Sequence, residues 1–343
     1  VGGIKPCVSA HVGDQFENKN KHLLEKIFGY FYFSINAGAM LSTLLTPILL
    51  LKYGPHIAFG VPGIMMLIAT IVFYLGRKVF IAIPPVGWKQ YKKDILSPQG
   101  KKAIFSLSIM YIFISIFWSL FDQTGSIFWS LFDQTGSSWV LQAENMDKWV
   151  DLGFVRFELL ASQIQAINPL LIIIMIPLFS YVIYPFFKNK WELTPLRRIS
   201  IGLFISAFSF MVIAVAQAII DGGGNPTIMY QFVAYLILTA AEVMVSITGL
   251  EFSYTQAPNS MKSFVMGLWL LSVSLGNFVA GFVNSLIQNP AIKPLLEGSY
   301  YFWFFAGLML LTAIIFVFYA RTYKEENYIQ SRDGLNNPTL TEN

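Results

Sequence analysis

The stretch IMYQFVAYLILTAAEVMVSITGL, Ile228–Leu250, decides the fold. Glu242 is its only charged side chain. About 20 helical residues cross the hydrocarbon of a bilayer, so this run is long enough to span one with Glu242 well inside. A carboxylate that faces lipid there costs at least about 2.5–3.5 kcal/mol, so Glu242 is expected to face protein or water. Ionisable groups inside a membrane are usually functional; the plainer alternative is a buried glutamate that staples two helices.

The rest of the chain is of the same kind. It is 55% apolar, 16% aromatic and 12% charged, with a mean hydropathy of +0.58. Soluble domains carry about 25% charge, so the composition marks an integral membrane protein. Seven more apolar runs follow the opening residues: Ile27–Leu51, Ile57–Gly76, Ala103–Phe121, Ala166–Phe187, Ile199–Ile220, Ser263–Ile287 and Ser299–Ala320. In lipid the backbone must satisfy itself, and runs this long and uniform do so as helices rather than barrel strands. The expected fold is therefore all-α and polytopic. The net charge of +4 does not point to nucleic acid, because the basic residues sit in loops and not on one face. A single cysteine, Cys7, excludes an internal disulfide, and His11, His22 and His56 lack metal-ligand spacing. No cleavable signal peptide is visible.

The loops give an orientation. Lys19, Lys21 and Lys26 precede the first run; Arg77, Lys78, Lys89, Lys92, Lys93, Lys101 and Lys102 fill 77–102; Lys188, Lys190, Arg197 and Arg198 fill 188–198; Arg321, Lys324 and Arg332 follow the last run. These alternate with basic-poor loops, the longest of which, 122–165, is acidic. Basic loops gather on the cytoplasmic side, so the C-terminus is expected inside, in a plasma or bacterial inner membrane. Residues 77–102, with Pro84-Pro85, are expected to be a cytoplasmic linker between a partial N-terminal bundle, 1–76, and a six-helix C-terminal bundle, 103–322. Residues 323–343 are polar and are expected to be a disordered cytoplasmic tail. The opening Val1-Gly-Gly-Ile-Lys5 resembles the end of an apolar helix, so the chain is expected to be cut from a longer protein.

Ile116–Ser126, IFWSLFDQTGS, recurs unchanged as Ile127–Ser137. Eleven helical residues turn about 1100° and rise about 16 Å, so the second copy would keep the face of the first but shift it most of the way through a leaflet. A recent tandem duplication or a sequence error explains this better than a hendecad design, which needs sustained repeats.

Several polar residues within the apolar runs are candidates for a site. Lys5 is a second intramembrane charge if the opening stub ends a membrane helix; it could pair with Glu242, bind the opposite end of a zwitterion, or only snorkel. Tyr32 and Asn36 share a helix face at i,i+4. Asn168 precedes Pro169, which frees backbone groups. Trp118 and Asp122 are also i,i+4, as are their copies Trp129 and Asp133; an aromatic beside a carboxylate suits a cation. Trp269 lies inside its run and either lines a pocket or packs. Glu251 falls at the basic end of its helix and suits a solvated or gate-pairing acid. No phosphate loop, nucleophile elbow or zinc motif is present, so the chain is not expected to be an enzyme or to need a metal or organic cofactor.

The motifs Gly2-Gly-Ile-Lys-Pro-Cys-Val-Ser9, Gly13-Asp-Gln-Phe16, Phe31-Tyr-Phe-Ser-Ile-Asn-Ala-Gly38, Phe117-Trp-Ser-Leu-Phe-Asp-Gln123, Gly249-Leu-Glu-Phe-Ser-Tyr-Thr-Gln-Ala-Pro258 and Trp269-Leu-Leu resemble the proton-coupled oligopeptide transporters. The resemblance covers nearly the whole chain. It implies the major facilitator fold, here lacking roughly its first three and a half helices, and alternating access. It also implies residue roles. Lys5 resembles a lysine that meets the peptide carboxyl end and takes part in proton coupling. Tyr32, Asn36, Asn168 and Trp269 resemble pocket residues. Glu242 resembles the acid that receives the peptide amino end. Trp118 and Asp122, or Trp129 and Asp133, resemble a pocket tryptophan and a proton-linked acid. The first copy is preferred, because Lys101-Lys102 anchor that helix, although the family motif runs on into Ser138-Trp139 after the second. The Glu-x-x-Glu-Arg motif of the first family helix, and the second-helix histidine of animal members, are absent. Asp221–Thr227 stands where animal members insert a large domain.

The function this implies is proton-driven symport of di- and tripeptides across a lipid bilayer by the intact protein, with protons as the coupling ion and this chain alone inactive. The alternatives are a transporter of the same fold for nitrate or amino acids, and a non-transporting membrane fragment or receptor.

Overall fold

The computed structural model describes residues 4–16, 18–81, 87–124, 138–151, 153, 156–159, 161–188, 193–324 and 328. Every apolar run falls on a helix. Helix α1, Ile4–Asp14, is followed by α2, Leu24–Tyr53, and α3, Pro55–Gly76. Gly54, at φ +81°, turns the chain between α2 and α3, and Pro55 takes the first helical position, where no amide bond is lost. Helix α4 is Trp88–Leu96 and α5 is Pro98–Phe121. The expected linker thus carries a helix of its own. Helix α5 also begins at Pro98 rather than Ala103, because Ser97 caps it: its hydroxyl accepts from the Gly100 amide at 3.0 Å.

Helix α6 is Ser138–Glu144; strands β1, Trp149–Asp151, and β2, Arg156–Glu158, follow. This antiparallel hairpin departs from the all-helical expectation; the Arg156 guanidinium lies 4.9 Å from the Trp149 ring centre and braces it. Helix α7, Ile167–Leu178, passes through a π turn at Phe179–Ile183 into α8, Tyr184–Lys188. Pro177 lies just ahead of that turn and has no amide hydrogen to donate, which favours a change in hydrogen-bond spacing there. Helix α9 is Pro195–Asp221; α10, Met229–Glu242, continues through a second π turn at Val243–Ile247 into α11, Thr248–Gln256. Helices α12, Lys262–Ile287, α13, Lys293–Leu296, and α14, Ser299–Thr322, complete the chain.

Among the described residues, seven helical spans are long and apolar enough to cross a membrane. They differ in cover. Over an apolar 18-residue stretch of each, 78% of the residues are buried in Met229–Gln256, which contains Glu242, and 6% in Pro55–Gly76. The Glu242 helix is therefore the bundle's centre, which is where a carboxylate can escape lipid. Its backbone neighbour is α9: a Cβ at Gly202 would meet the Val245 side chain and the Ala241 carbonyl, so only glycine lets α9 lie this close. Helix α14 packs along α9, with Phe210 against Phe302 and Phe305. Asp221 at the end of α9 accepts the Ser299 amide at 2.7 Å and so caps α14. Helix α3, by contrast, presents Met65, Met66, Leu67 and Phe73 outward, toward lipid or other protein.

The tail is not wholly detached. Tyr323 packs its ring on Phe252, and the Tyr328 amide donates to the Thr255 carbonyl at 2.9 Å. The remaining tail residues, 325–327 and 329–343, lie outside the described residues.

Candidate transport site

Glu242 is 2% exposed and closes α10 where the π turn begins. Both carboxylate oxygens are engaged. Tyr32, on α2, donates its hydroxyl to Oε1, and Asn168, on α7, donates Nδ2 to Oε2 at 2.8 Å. Asn168 Nδ2 also lies 3.2 Å from Thr239 Oγ1, one turn back on α10. Asn36, one turn beyond Tyr32, donates to the Tyr32 carbonyl at 2.9 Å and holds that turn. Helices far apart in sequence thus converge on one carboxylate. A buried carboxylate with donors on both oxygens is stabilised where an unpaired one would be very costly. The same donors can yield to a proton or to an ammonium group, since each bond is a single neutral donor and not an ion pair.

An aromatic and acidic group lies alongside. Trp269 on α12 meets Tyr111 and Trp118 of α5 edge-on, at 5.9 and 6.4 Å between ring centres. A Cβ at Gly249 would strike the edge of the Trp269 ring, so the indole abuts α11 there. Asp122, just past α5, accepts from Asn277 Nδ2, and Asn277 also donates to the Val273 carbonyl at 3.1 Å. Gly276 makes that meeting possible: a Cβ there would run into the Ser115 carbonyl and the Trp118 Cβ, so α5 and α12 touch backbone to backbone. The charge of Asp122 is within electrostatic reach of Glu242.

At the end of the bundle that carries the basic loops, α1 meets α11 and α12. Tyr254 donates its hydroxyl to Asp14 Oδ1 at 2.8 Å; Lys262 Nζ lies 4.0 Å from the same oxygen and 3.8 Å from the Tyr254 ring centre. Lys262 is 2% exposed. Gly13 leaves room for the Tyr254 ring. A second bridge joins α2 to α9: Arg198 pairs with Glu25 and stacks on the Tyr184 ring at 4.2 Å.

Of the expected site residues, the structure brings Tyr32 and Asn168 each into contact with Glu242, and Trp118 against Trp269, while Asp122 meets Asn277. Lys5 stands apart: it is exposed on α1 and makes no ion pair among the described residues. Trp129 and Asp133 lie outside the described residues. Asn277, Lys262 and Tyr254 were missed. Asn277 carried a signal, an amide after a glycine inside an apolar run; Tyr254 lies in the Gly249–Pro258 motif but was given no role there. No group of three metal-ligating side chains occurs among the described residues.

The sequence profile of the POT family matches residues 1–96 and 125–304. Solute carrier family 15 member 2 of Homo sapiens is 34% identical over 308 residues, 77% of this chain and 40% of that protein. Peptide transporter 3 of Caenorhabditis elegans is 34% identical over 257 residues, 63% of this chain and 34% of that protein. The chain thus spans about two fifths or less of the length of these curated relatives. Among solved structures, an auto-inhibited POT family peptide transporter aligns with a TM-score of 0.71 at 30% identity, over 96% of this chain and 76% of that one. The POT family transporter PepTSo aligns with a TM-score of 0.64 at 32% identity, over 93% and 75%. The match passes over 97–124, hence over Ile116–Thr124 of the first copy of the repeat, which the structure places at the end of α5 and just past it.

Proposed function

This chain belongs to the POT family, and we propose that it works in the proton-driven symport of di- and tripeptides, with Glu242 receiving the peptide amino end and exchanging a proton with Asp122 as the site opens to each side. The observation that carries this reading is the Glu242 carboxylate, buried at the centre of the bundle and held by Tyr32 and Asn168 from other helices. A protonated Glu242 releases those donors to the substrate; an ionised one attracts an ammonium. Trp118, Trp269 and Asn36 line the rest of the peptide pocket, and Lys5 meets the carboxyl end.

The basic loops face the cytoplasm in this reading, as does the C-terminus. Residues 1–76 then belong to one half of the transporter and 103–322 to the other, joined by 77–102. The Asp14–Tyr254–Lys262 and Glu25–Arg198 bridges close the cytoplasmic side and part when the site opens inward. The membrane potential supplies energy of about 2.3 kcal/mol per charge at 100 mV.

The test is uptake of a labelled dipeptide into proteoliposomes under an inward proton gradient, competed in turn with unlabelled dipeptide, a free amino acid and nitrate. Competition by peptides alone supports the reading. Competition by nitrate or the amino acid assigns another substrate to the same fold. The chain spans 40% of its human relative, so the measurement is made on this chain and on the intact protein side by side, with uptake expected only from the second.

A further inference from the structure

We propose that the cleft where the start of α2 faces α8 and the start of α9 binds the phosphate of an acidic lipid headgroup, and that the bound lipid clasps the two halves of the transporter at that end. The clasp, though not the binding itself, rests on the reading of 1–76 and 103–322 as two halves.

The cleft has a volume of about 400 Å³, within the range of about 300–1,000 Å³ usual for small-molecule sites. His22 and Lys26 line it from one side; Tyr181, Tyr184 and Arg198 line it from the other. It lies where apolar runs meet basic loops. Lys26 precedes the run from Ile27, Arg198 precedes the run from Ile199, and Tyr181 and Tyr184 fall in the last turns before Phe187. The ends of such runs are level with the headgroups of a bilayer. Tyr30 and Tyr181 are 49% and 56% exposed beside the cleft, as tyrosines at a membrane surface are. Val182 and Phe186, on the same segment as Tyr181, are exposed too, where acyl chains can cover them.

The charges leave a place for an anion. Glu25, the one acid in the wall among the described residues, is taken by Arg198. Arg198 also donates Nε to the Leu193 carbonyl at 3.0 Å and stacks on the Tyr184 ring at 4.2 Å, so its guanidinium is fixed and keeps further N–H donors. Lys26 has no carboxylate within ion-pair distance among the described residues. Two rings steady its Nζ instead, with centres 5.4 Å away at Tyr181 and 5.8 Å away at Tyr30. The hydroxyls of those tyrosines meet at 3.0 Å, a bond that uses one of their two protons. The other proton, the Lys26 ammonium, the spare Arg198 donors and an N–H of His22 suit the anionic oxygens of a phosphate. A zwitterionic headgroup carries its own cation, which Lys26 and Arg198 repel, so the fit is to a headgroup of net negative charge. Basic pockets between membrane helices recognise lipids of that kind. His22 and Lys26 belong to the first half, Tyr181 and Arg198 to the second, so one phosphate spans the seam beside the Glu25–Arg198 bridge.

The experiment titrates the intact protein, in dodecyl maltoside micelles, with a short-chain phosphatidylglycerol, a phosphatidylcholine of the same chains, and inorganic phosphate. Native mass spectrometry reads the bound lipid and thermal unfolding reads its effect. Phosphatidylglycerol is expected to bind saturably and to raise the unfolding midpoint; the other two, at the same concentrations, are not. Lys26→Gln is expected to weaken phosphatidylglycerol binding about fivefold, and Lys26→Arg to keep it within about twofold. Lys92→Gln removes an equal charge from α4, outside the cleft, and is expected to leave binding within about twofold. Should Lys26→Gln misfold, His22→Gln decides, with weaker binding expected. Equal stabilisation by phosphatidylcholine or inorganic phosphate, unchanged binding in the deciding variant, or an equal loss in Lys92→Gln would overturn the site. For the clasp, Thr248→Cys, at a position 2% exposed, is labelled in a Cys7→Ser background. Phosphatidylglycerol is expected to slow that labelling several-fold, and not when Lys26→Gln is added; labelling that the lipid does not slow overturns the clasp. Neither readout needs dipeptide uptake, so a protein that takes up no dipeptide contradicts the proposed function and not this site.

Discussion

The hydroxyl of Tyr32 donates to the carboxylate of Glu242 across 210 positions of sequence, and so ties α2 to α10, part of the most buried of the seven candidate spans among the described residues. Hydrogen bonds to charged groups contribute about 1.5–3 kcal/mol. Tyr32→Phe is expected to lower thermal stability by that order, and Asn168→Ala by a similar amount. The two should couple, because they hold the two oxygens of one carboxylate. In a double-mutant cycle with Glu242→Gln, a coupling energy of about 0.5 kcal/mol or more is expected for each. Additive losses in thermal or denaturant unfolding would show that the three residues do not act as one group.

Gly276 sets how closely α12 approaches α5. Gly276→Val would push against the Ser115 carbonyl and separate Asn277 from Asp122. The expected cost is about 1–3 kcal/mol, with gradient-driven uptake lost more than dipeptide exchange. Thermal unfolding and the two transport assays check this together.

Lys262 is buried beside Asp14 and Tyr254. Removing one partner of a buried pair strands the other, at about 3–5 kcal/mol; Asp14 is 17% exposed, which favours the low end. Asp14→Asn is expected to destabilise the closed cytoplasmic side, and Asp14→Asn with Lys262→Met to restore it. Cysteine accessibility from the cytoplasmic side reads the opening directly: faster labelling in the single variant and a return toward the parent rate in the double.

The repeat gives a prediction about folding. Ser138 Oγ lies 3.4 Å from the Gln123 carbonyl, so the residues on either side of 125–137 already meet. Deleting either eleven-residue copy yields the same chain and shortens only that connection. The loop-closure term then improves by about 1–2 kcal/mol. Thermal stability should rise or hold, and Asp122 should keep its bond to Asn277; a collapse of stability would mean that the second copy is part of the bundle.

Much of this was legible in the chain itself. Glu242 stood out because a lone acid in an apolar run has few acceptable surroundings, and the eight runs fell on helices because lipid leaves the backbone little choice. Asn168 and Tyr32 carried local signals, a proline beside one and an i,i+4 amide beside the other. The hairpin at 149–158 was not legible: it is short and is held by Asp147 bridging to Thr227, a contact across the fold. Nor was the π turn at Val243–Ile247, where Gly202 of α9 packs against Ala241, Met244 and Val245. The burial of Lys262 was not legible either, because one of its partners, Asp14, comes from the far end of the chain. Of the three readings open to Lys5, direct pairing with Glu242 is not seen: Glu242 is held by neutral donors while Lys5 is exposed.

The central claim is that the Glu242 carboxylate couples proton movement to peptide movement. The direct measurement is dipeptide transport by Glu242→Gln in the intact protein, scored both as uptake driven by a proton gradient and as exchange at equal pH. The account predicts that gradient-driven uptake falls to background. Uptake by the variant that keeps the parent's rate and the parent's pH dependence would contradict it.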